Sequence, residues 1–385
     1  MRILMLSHGY PPTISGVTLV VQKLSRAMVR RGHTVRVITA SERRTPYRTI
    51  DQGVELIRIR GGRNPFWSEG PFPWVSRREL DDLITDFQPE IIHTHENVFL
   101  STQLLRMRQR LKMPLVSSCY FLPRYVTHYI RLGPVRQALQ QLIWTYIIRN
   151  LNSYDHVIFS THSQEQDYLQ HGLKVPTTVI SNGVDTSRYM PANGHTDTIE
   201  RRYQLPAGKR ILFVGRLMPD KRIDLLVKAM NYIPAEVNAH LLVVGRGSEK
   251  QALQELANSS GLQDRVHLLG FIPEQDLPAL YRRVDVFAIA SICEVQSIPT
   301  LQALVSGLPV VGVNAAALPE LIRDGVNGRL VPPDNPQLVA EALTSILTDA
   351  DLRSRFGQAS LDIGRAHAEQ YTIQAYEAFY QGLLT

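Results

Sequence analysis

Residues 2–40 read RILMLSHGYPPTISGVTLVVQKLSRAMVRRGHTVRVITA, and their pattern sets the architecture. The apolar run RILML gives way to a polar loop rich in Gly and Pro. After Gly16, apolar residues recur at Val17, Val20, Val21, Leu24, Ala27 and Met28, the spacing of one helical face. Gly32 stops that helix, and TVRVITA returns as a strand. Strand, loop, helix, strand is a βαβ unit, and a crossover of that kind joins parallel strands.

Outward from this unit, VELIRI, EIIHT, PLVSS and HVIFS continue the first strand series. A second series begins at KRILFVG and runs through HLLVVG, RVHLLG, VDVFAIA and LPVVGV. Helical patterns such as IDLLVKAMNYI and EKQALQELANSS lie between its strands. Two successive doubly wound α/β sheets are expected, parting within VPTTVISNGVDTSRYMP. A chain of 385 residues suits two domains of roughly 150–200 residues each. The expected division is 1–178, 179–367 and a helical C-terminal segment 368–385, with Tyr376, Phe379, Tyr380 and Leu383 on one face.

Hydrophobic residues make up 44% of the chain and charged residues 20%, the balance of a soluble globular protein. No apolar run approaches the ~20 residues that span a bilayer. MRILMLSHGYPP reads as a strand rather than a secretion signal. Two cysteines, Cys119 and Cys293, make neither a disulfide framework nor a metal cluster, and a cytoplasmic location is expected. The net charge of +7 is unevenly spread. Residues 1–178 hold 23 Lys and Arg against 13 Asp and Glu, whereas the remainder is slightly acidic. Such a first half either meets something anionic or simply stays soluble. Nucleic acid is not expected, because no binding-module signature accompanies the charge.

In open α/β sheets, ligands sit beyond the carboxyl ends of the strands. VGRLMPDKRIDLL sets Arg216 and Lys221 there, in a loop expected to be exposed. Two fixed cations can neutralise a diphosphate and stabilise it as a leaving group. Ser15-Gly16 opens the first long helix, where unpaired amides favour an anion. The first loop lacks G-x-G-x-x-G, which argues against a nicotinamide dehydrogenase. Residues 291–307, SICEVQSIPTLQALVSG, read as a loop and a short helix that Ser297 caps, Pro299 opens and Gly307 ends. Glu294 in the loop and Gln302 in the helix can both accept bonds from hydroxyls. A diol-rich ligand such as a nucleotide sugar satisfies both.

The succession PPTISGVTLVVQKLSRAMVRRGHTV, ISNGVDTSRY, FVGRLMPDKRIDLLVKA, LLVVGRGSEK, EVQSIPTLQALVSGLPVV and LPELIRDGVNGRLVPPDN resembles the retaining GT-B glycosyltransferases of family 4. The resemblance implies two Rossmann-like domains facing a central cleft, with a C-terminal helix crossing back to the first. It implies that Gly16 approaches the donor diphosphate, that Arg216 and Lys221 bind it, and that Glu294 holds hydroxyls of the donor sugar. Gln296, Ser297 and Gln302 complete the implied donor site, and the backbone of Phe271 and Ile272 lines its base pocket. Gln302 stands where the family has a ribose-binding glutamate. An amide is the weaker acceptor, roughly 1 against 1.5–3 kcal/mol, so a glutamate there is expected to tighten the nucleotide. Tyr120 aligns with a histidine common in the family, and a tyrosine is a poor base near neutral pH.

VTHYIRLG is similar to family members that glycosylate diacylglycerol or related lipids. It lies within residues 124–149, which mix Arg124, His128, Arg131, Arg136 and Arg149 with Trp144 and other aromatics. Such a segment either lies on anionic lipid or packs as a core helix with a basic outer face. The resemblance implies a metal-independent, retaining transfer of a hexose from a nucleotide-diphosphate sugar, expected to be UDP-linked. The expected acceptor is a lipid at the inner face of the cell membrane. A soluble saccharide or small-molecule acceptor, and a non-catalytic relative that binds lipid or a partner, are the alternatives. No cofactor or metal is expected: His93 and His95 share a strand face, but no third strong ligand accompanies them.

Overall fold

β1 (Arg2–Leu6), the helix Gly16–Arg30 and β2 (Thr34–Ala40) form the parallel unit expected of the opening residues, with Arg2 opposite Thr34 and Leu6 opposite Ile38. The computed structural model describes residues 1–13, 15–62, 71–96, 98–127, 133–190 and 197–385. The helix buries Val20, Val21, Leu24, Ala27 and Met28, the stripe that its spacing marks out.

The same sheet contains β3 (Tyr47–Asp51), β4 (Val54–Gly62), β5 (Phe72–Trp74), β6 (Ile91–Thr94), β7 (Leu115–Ser118), β8 (His156–Phe159) and β9 (Thr177–Val179). Its order is β3-β4-β2-β1-β6-β7-β8-β9, with β5 beside β4. β3 and β5 run antiparallel to β4, and the other pairs are parallel. β6 and β7 are buried throughout, as strands covered on both faces must be. The chain order reverses between β1 and β6, so the loops that follow these strands diverge and leave room for a ligand.

A second sheet holds β10 (Lys209–Val214), β11 (Ala239–Val244), β12 (Val266–Gly270), β13 (Val286–Ile289), β14 (Val310–Val313) and β15 (Gly328–Val331). It is wholly parallel, in the order β12-β11-β10-β13-β14-β15, and reverses between β10 and β13.

The chain forms two units, Met1–Asn182 with Thr372–Thr385, and Gly183–Tyr371. The division therefore falls after Asn182 rather than after residue 178. β9 pairs with β8, and Ile180 lies in the first core, so both belong to the first unit. At the far end, Tyr376 and Tyr380 of the helix Glu369–Gly382 are buried in that core, with Phe379 and Leu383 packed against it. No helix among the described residues is long and apolar enough to cross a membrane.

Candidate functional site

The loops after β10 and β13 leave the two strands at which the second sheet reverses, and this brings Lys221 to Glu294 across 73 residues of sequence. Lys221 Nζ donates to Glu294 Oε1 at 2.7 Å and lies 3.3 Å from Asp220 Oδ2. Cys293 O at 3.4 Å and Ser291 Oγ at 3.5 Å complete its surroundings. The lysine and glutamate side chains are each only 11% exposed. Burial works against the ammonium charge, but the Glu294 and Asp220 carboxylates outweigh it and hold the Lys221 pKa above its ordinary value, with Arg216 opposing them.

Arg216 itself is exposed, and the loop after β11 clamps its neighbours. Leu217 N donates to Arg246 O at 2.8 Å, and Glu249 N to Leu217 O at 3.0 Å. Gly245 has φ 144°, and a Cβ there would meet Gly215 O at 1.8 Å; one on Gly247 would meet Leu217 O at 2.1 Å. The glycines of VVGRG thus allow one loop to press on the other. The Arg246 guanidinium lies over the exposed Phe271 ring, 5.0 Å from its centroid. Ile272 sends its side chain into the core, so only its backbone is available to a ligand.

Ser297 accepts from Thr300 N and caps the helix Ile298–Val305, as expected, and both Ser297 and Gln296 are buried. Gln302 is buried too. Its Oε1 lies 3.1 Å from Tyr281 Oη, which is also 3.1 Å from Pro299 O. The phenol has one proton for two acceptors. Turning the amide over lets its NH2 donate to the phenol while the phenol donates to Pro299. A carboxylate cannot donate, and this gives an amide at 302 a structural reason.

In the first unit, Ser15 Oγ accepts from Thr18 N while Thr18 Oγ1 accepts from Ser15 N. This capping box leaves the Gly16 and Val17 amides without a partner among the described residues. At the ends of β6 and β7, His95 Nδ1 lies 3.3 Å from Tyr120 Oη. Burial drives the His95 pKa down to about 3 and, with Tyr376 adding to it, drives the Tyr120 phenol well above its ordinary value of 10. His95 is therefore neutral and Tyr120 keeps its proton, so the tyrosine acts as a donor and not as a base. His93 places Nδ1 2.6 Å from Tyr380 Oη and Nε2 2.8 Å from Ser118 Oγ, which commits both nitrogens to hydroxyls.

The family profile described as glycosyl transferases group 1 matches residues 196–362, and that of glycosyltransferase family 4 matches residues 14–188. A D-inositol 3-phosphate glycosyltransferase of Salinispora tropica is 30% identical over 333 residues, which cover 79% of this chain and 68% of that protein. The chain belongs to glycosyltransferase family 4. The uncharacterized glycosyltransferase MJ1607 of Methanocaldococcus jannaschii is 29% identical over 92% of this chain and 90% of its own. Among solved structures, sucrose-phosphate synthase from Thermosynechococcus elongatus has a TM-score of 0.84 at 20% identity, covering 99% of this chain and 98% of that one. Anabaena HepE in complex with UDP-glucose has a TM-score of 0.79 at 19% identity, covering 99% of each chain. The family 4 fold is GT-B, and each unit here is one of its parallel α/β domains.

Against these expectations, two change. The loop of Lys221 is not exposed as a whole: Arg216 is, but Lys221 and Asp220 are buried because the loop after β13 folds over them. Trp144 is not a surface residue. It is 5% exposed, stacks on His171 at 3.8 Å and meets Tyr168 edge-on, since it shares the covered face of the helix Gly133–Leu151 with Ile147, Ile148 and Leu151. The open face of that helix carries Val135, Leu142 and Tyr146 instead. Arg124 and Arg136 are exposed as expected, while His128 and Arg131 lie outside the described residues. Sequence reasoning also missed Asp220 and the pairing of His95 with Tyr120. The signal for Asp220 was its place beside a proposed catalytic cation; for His95 there was none, because its partner comes from another strand.

Proposed function

We propose that this family 4 enzyme is a retaining glycosyltransferase that moves a hexose from a UDP-linked donor to a lipid acceptor at an anionic membrane surface. The donor half rests on the Lys221–Glu294 pair with Arg216 on the same loop as Lys221, which sets two cations and a carboxylate at the carboxyl ends of β10 and β13. Arg216 and Lys221 take the charge that develops on the leaving diphosphate, and Glu294 orients the sugar through its hydroxyls. The bond from the sugar's anomeric carbon to the diphosphate oxygen breaks as the bond to the acceptor oxygen forms on the same face. The acceptor's proton passes to the departing diphosphate, so no protein base is required and a protonated Tyr120 is no obstacle. HepE, similar in fold, was solved with UDP-glucose, which favours UDP as the carrier.

The lipid half rests on the helix Gly133–Leu151. Beyond its covered face, the helix carries large apolar side chains among the polar ones on its open side. Val135 is 53%, Leu142 65% and Tyr146 42% exposed. From residue 97 to residue 154 the chain has eight Lys and Arg and not one Asp or Glu. An apolar face within a wholly cationic stretch suits an anionic interface. The Salinispora relative bears the name of a D-inositol 3-phosphate glycosyltransferase, so a soluble phosphorylated acceptor is the second reading.

Purified protein with radiolabelled UDP-hexose tests both. Label entering diacylglycerol, dependent on phosphatidylglycerol in the vesicles, is the expected result. Label in inositol phosphate and none in lipid overturns the lipid acceptor. Neither transfer nor hydrolysis of any UDP-hexose overturns the proposed donor and leaves a protein that binds without turning over.

A further inference from the structure

We propose that Asp220 is a positioning residue that holds Lys221 charged and in place once Glu294 has turned to the hydroxyls of the donor sugar. The inference rests on the reading of Lys221 and Glu294 as donor ligands given above.

Asp220 is 2% exposed, and its Oδ2 has no hydrogen-bond partner among the described residues, yet it lies 3.3 Å from Lys221 Nζ. A buried carboxylate oxygen left without a hydrogen bond is costly, and the neighbouring ammonium is what compensates it. Its backbone is fixed as well: Asp220 O accepts from Ile292 N at 3.1 Å and from Ser291 Oγ at 3.3 Å. One residue therefore ties the turn Pro219–Lys221 to the loop after β13 and also faces the lysine.

The charges around Lys221 are Asp220 from its own turn, Glu294 from the loop after β13 and Arg216 from the loop after β10. Glu294 Oε1 accepts from the ammonium, and once sugar hydroxyls also donate to this carboxylate its charge is shared between them and the lysine. Asp220, sealed from solvent, has no such competing partner. Without it, a loosened Glu294 leaves two cations sharing one carboxylate, and the buried lysine loses its proton more readily as pH rises. Asp220 thus keeps Lys221 cationic through the step in which the diphosphate departs.

The test is D220N, which keeps shape and removes charge, read against wild type and D220E. With UDP-hexose turnover as readout, D220N should lower kcat about tenfold or more, with donor KM changed less than about threefold. The alkaline limb of its kcat profile should move to lower pH, whereas D220E should keep the wild-type limb. Wild-type kcat and an unmoved limb in D220N, even with a lower melting temperature, would make Asp220 structural only. If D220N does not fold, a limb shifted in D220E overturns the proposal and an unshifted one supports it. If wild type turns over no donor, the function proposed above fails, and UDP titration at two pH values decides this point. D220N binding UDP as well at pH 9 as at pH 7 overturns it, and weakening at pH 9 alone supports it.

Discussion

Lys221 Nζ and Glu294 Oε1 stand 2.7 Å apart, so the cation and the carboxylate of the candidate donor site hold each other. Lys221→Ala leaves Glu294 and Asp220 buried without the ammonium they share. The expected result is a turnover loss of about two orders of magnitude together with a stability loss of about 3–5 kcal/mol. Arg216→Ala, on the exposed side of the same loop, should lose as much turnover with stability within about 0.5 kcal/mol of wild type. Steady-state kinetics beside urea denaturation separates the two. Unchanged turnover in both variants would remove the leaving-group role.

Gln302→Glu is expected to destabilise the protein by about 1–3 kcal/mol, because a carboxylate cannot donate to Tyr281 and would be buried. It should not tighten UDP, contrary to what the residue type suggests. Calorimetric titration of both proteins with UDP checks this. Tighter binding at unchanged stability would place residue 302 on the ribose after all.

Tyr120→Phe removes the neutral hydrogen bond between the phenol and His95. A turnover loss between about twofold and tenfold is expected, from the roughly 0.5–1.5 kcal/mol that such a bond contributes. The phenol's pKa lies well above 10 because it is buried, so the alkaline limb of the rate profile should not move. A limb that disappears in the variant would show that the phenol titrates during turnover.

Leu142→Asp and Arg149→Gln should each weaken co-sedimentation with phosphatidylglycerol vesicles. The arginine change is expected to do so about fivefold, the equivalent of about 1 kcal/mol for one cation near an anionic surface, and less in high salt. Trp144→Ala should instead cost about 3–5 kcal/mol of stability, since its ring is in the core. If wild type stays in the supernatant with anionic vesicles at low salt, the lipid reading loses its physical support.

Glu377 in the C-terminal helix faces His33 and Arg31, and its pKa is lowered, first by the bond to His33. A depressed carboxylate stabilises the fold fully above its unfolded value of about 4.3, and that stabilisation is lost as pH falls through the lower folded value. Glu377→Gln should therefore lower stability near pH 7 by on the order of 0.5 kcal/mol. The variant and wild type should converge once pH has fallen below that lower folded value. A difference that persists in acid would assign the effect to packing.

Much of the architecture was legible because strand and helix periodicities are local. The strands RILML, TVRVITA, KRILFVG and LPVVGV lie where their apolar runs put them, and Ser297 caps the helix that its neighbours announce. β3 was not legible, since YRTID sits at an edge and buries none of its residues fully. β9 and β15 are short and only partly buried, so they carry little pattern.

Residue types and their spacing were enough to mark Arg216, Lys221 and Glu294 as a charged set on loops at strand ends. Sheet order, which no local pattern encodes, put the loops after β10 and β13 side by side and made Lys221 a partner of both Glu294 and Asp220. Burial then set the energetics, because a charge removed from water depends on which opposite charge is within reach. The same held for Gln302, whose partner Tyr281 comes from another helix, and for Trp144, whose covered face depends on its neighbours Tyr168 and His171. Periodicity belongs to a segment of chain, whereas pairing and exposure belong to what the folded chain brings against it.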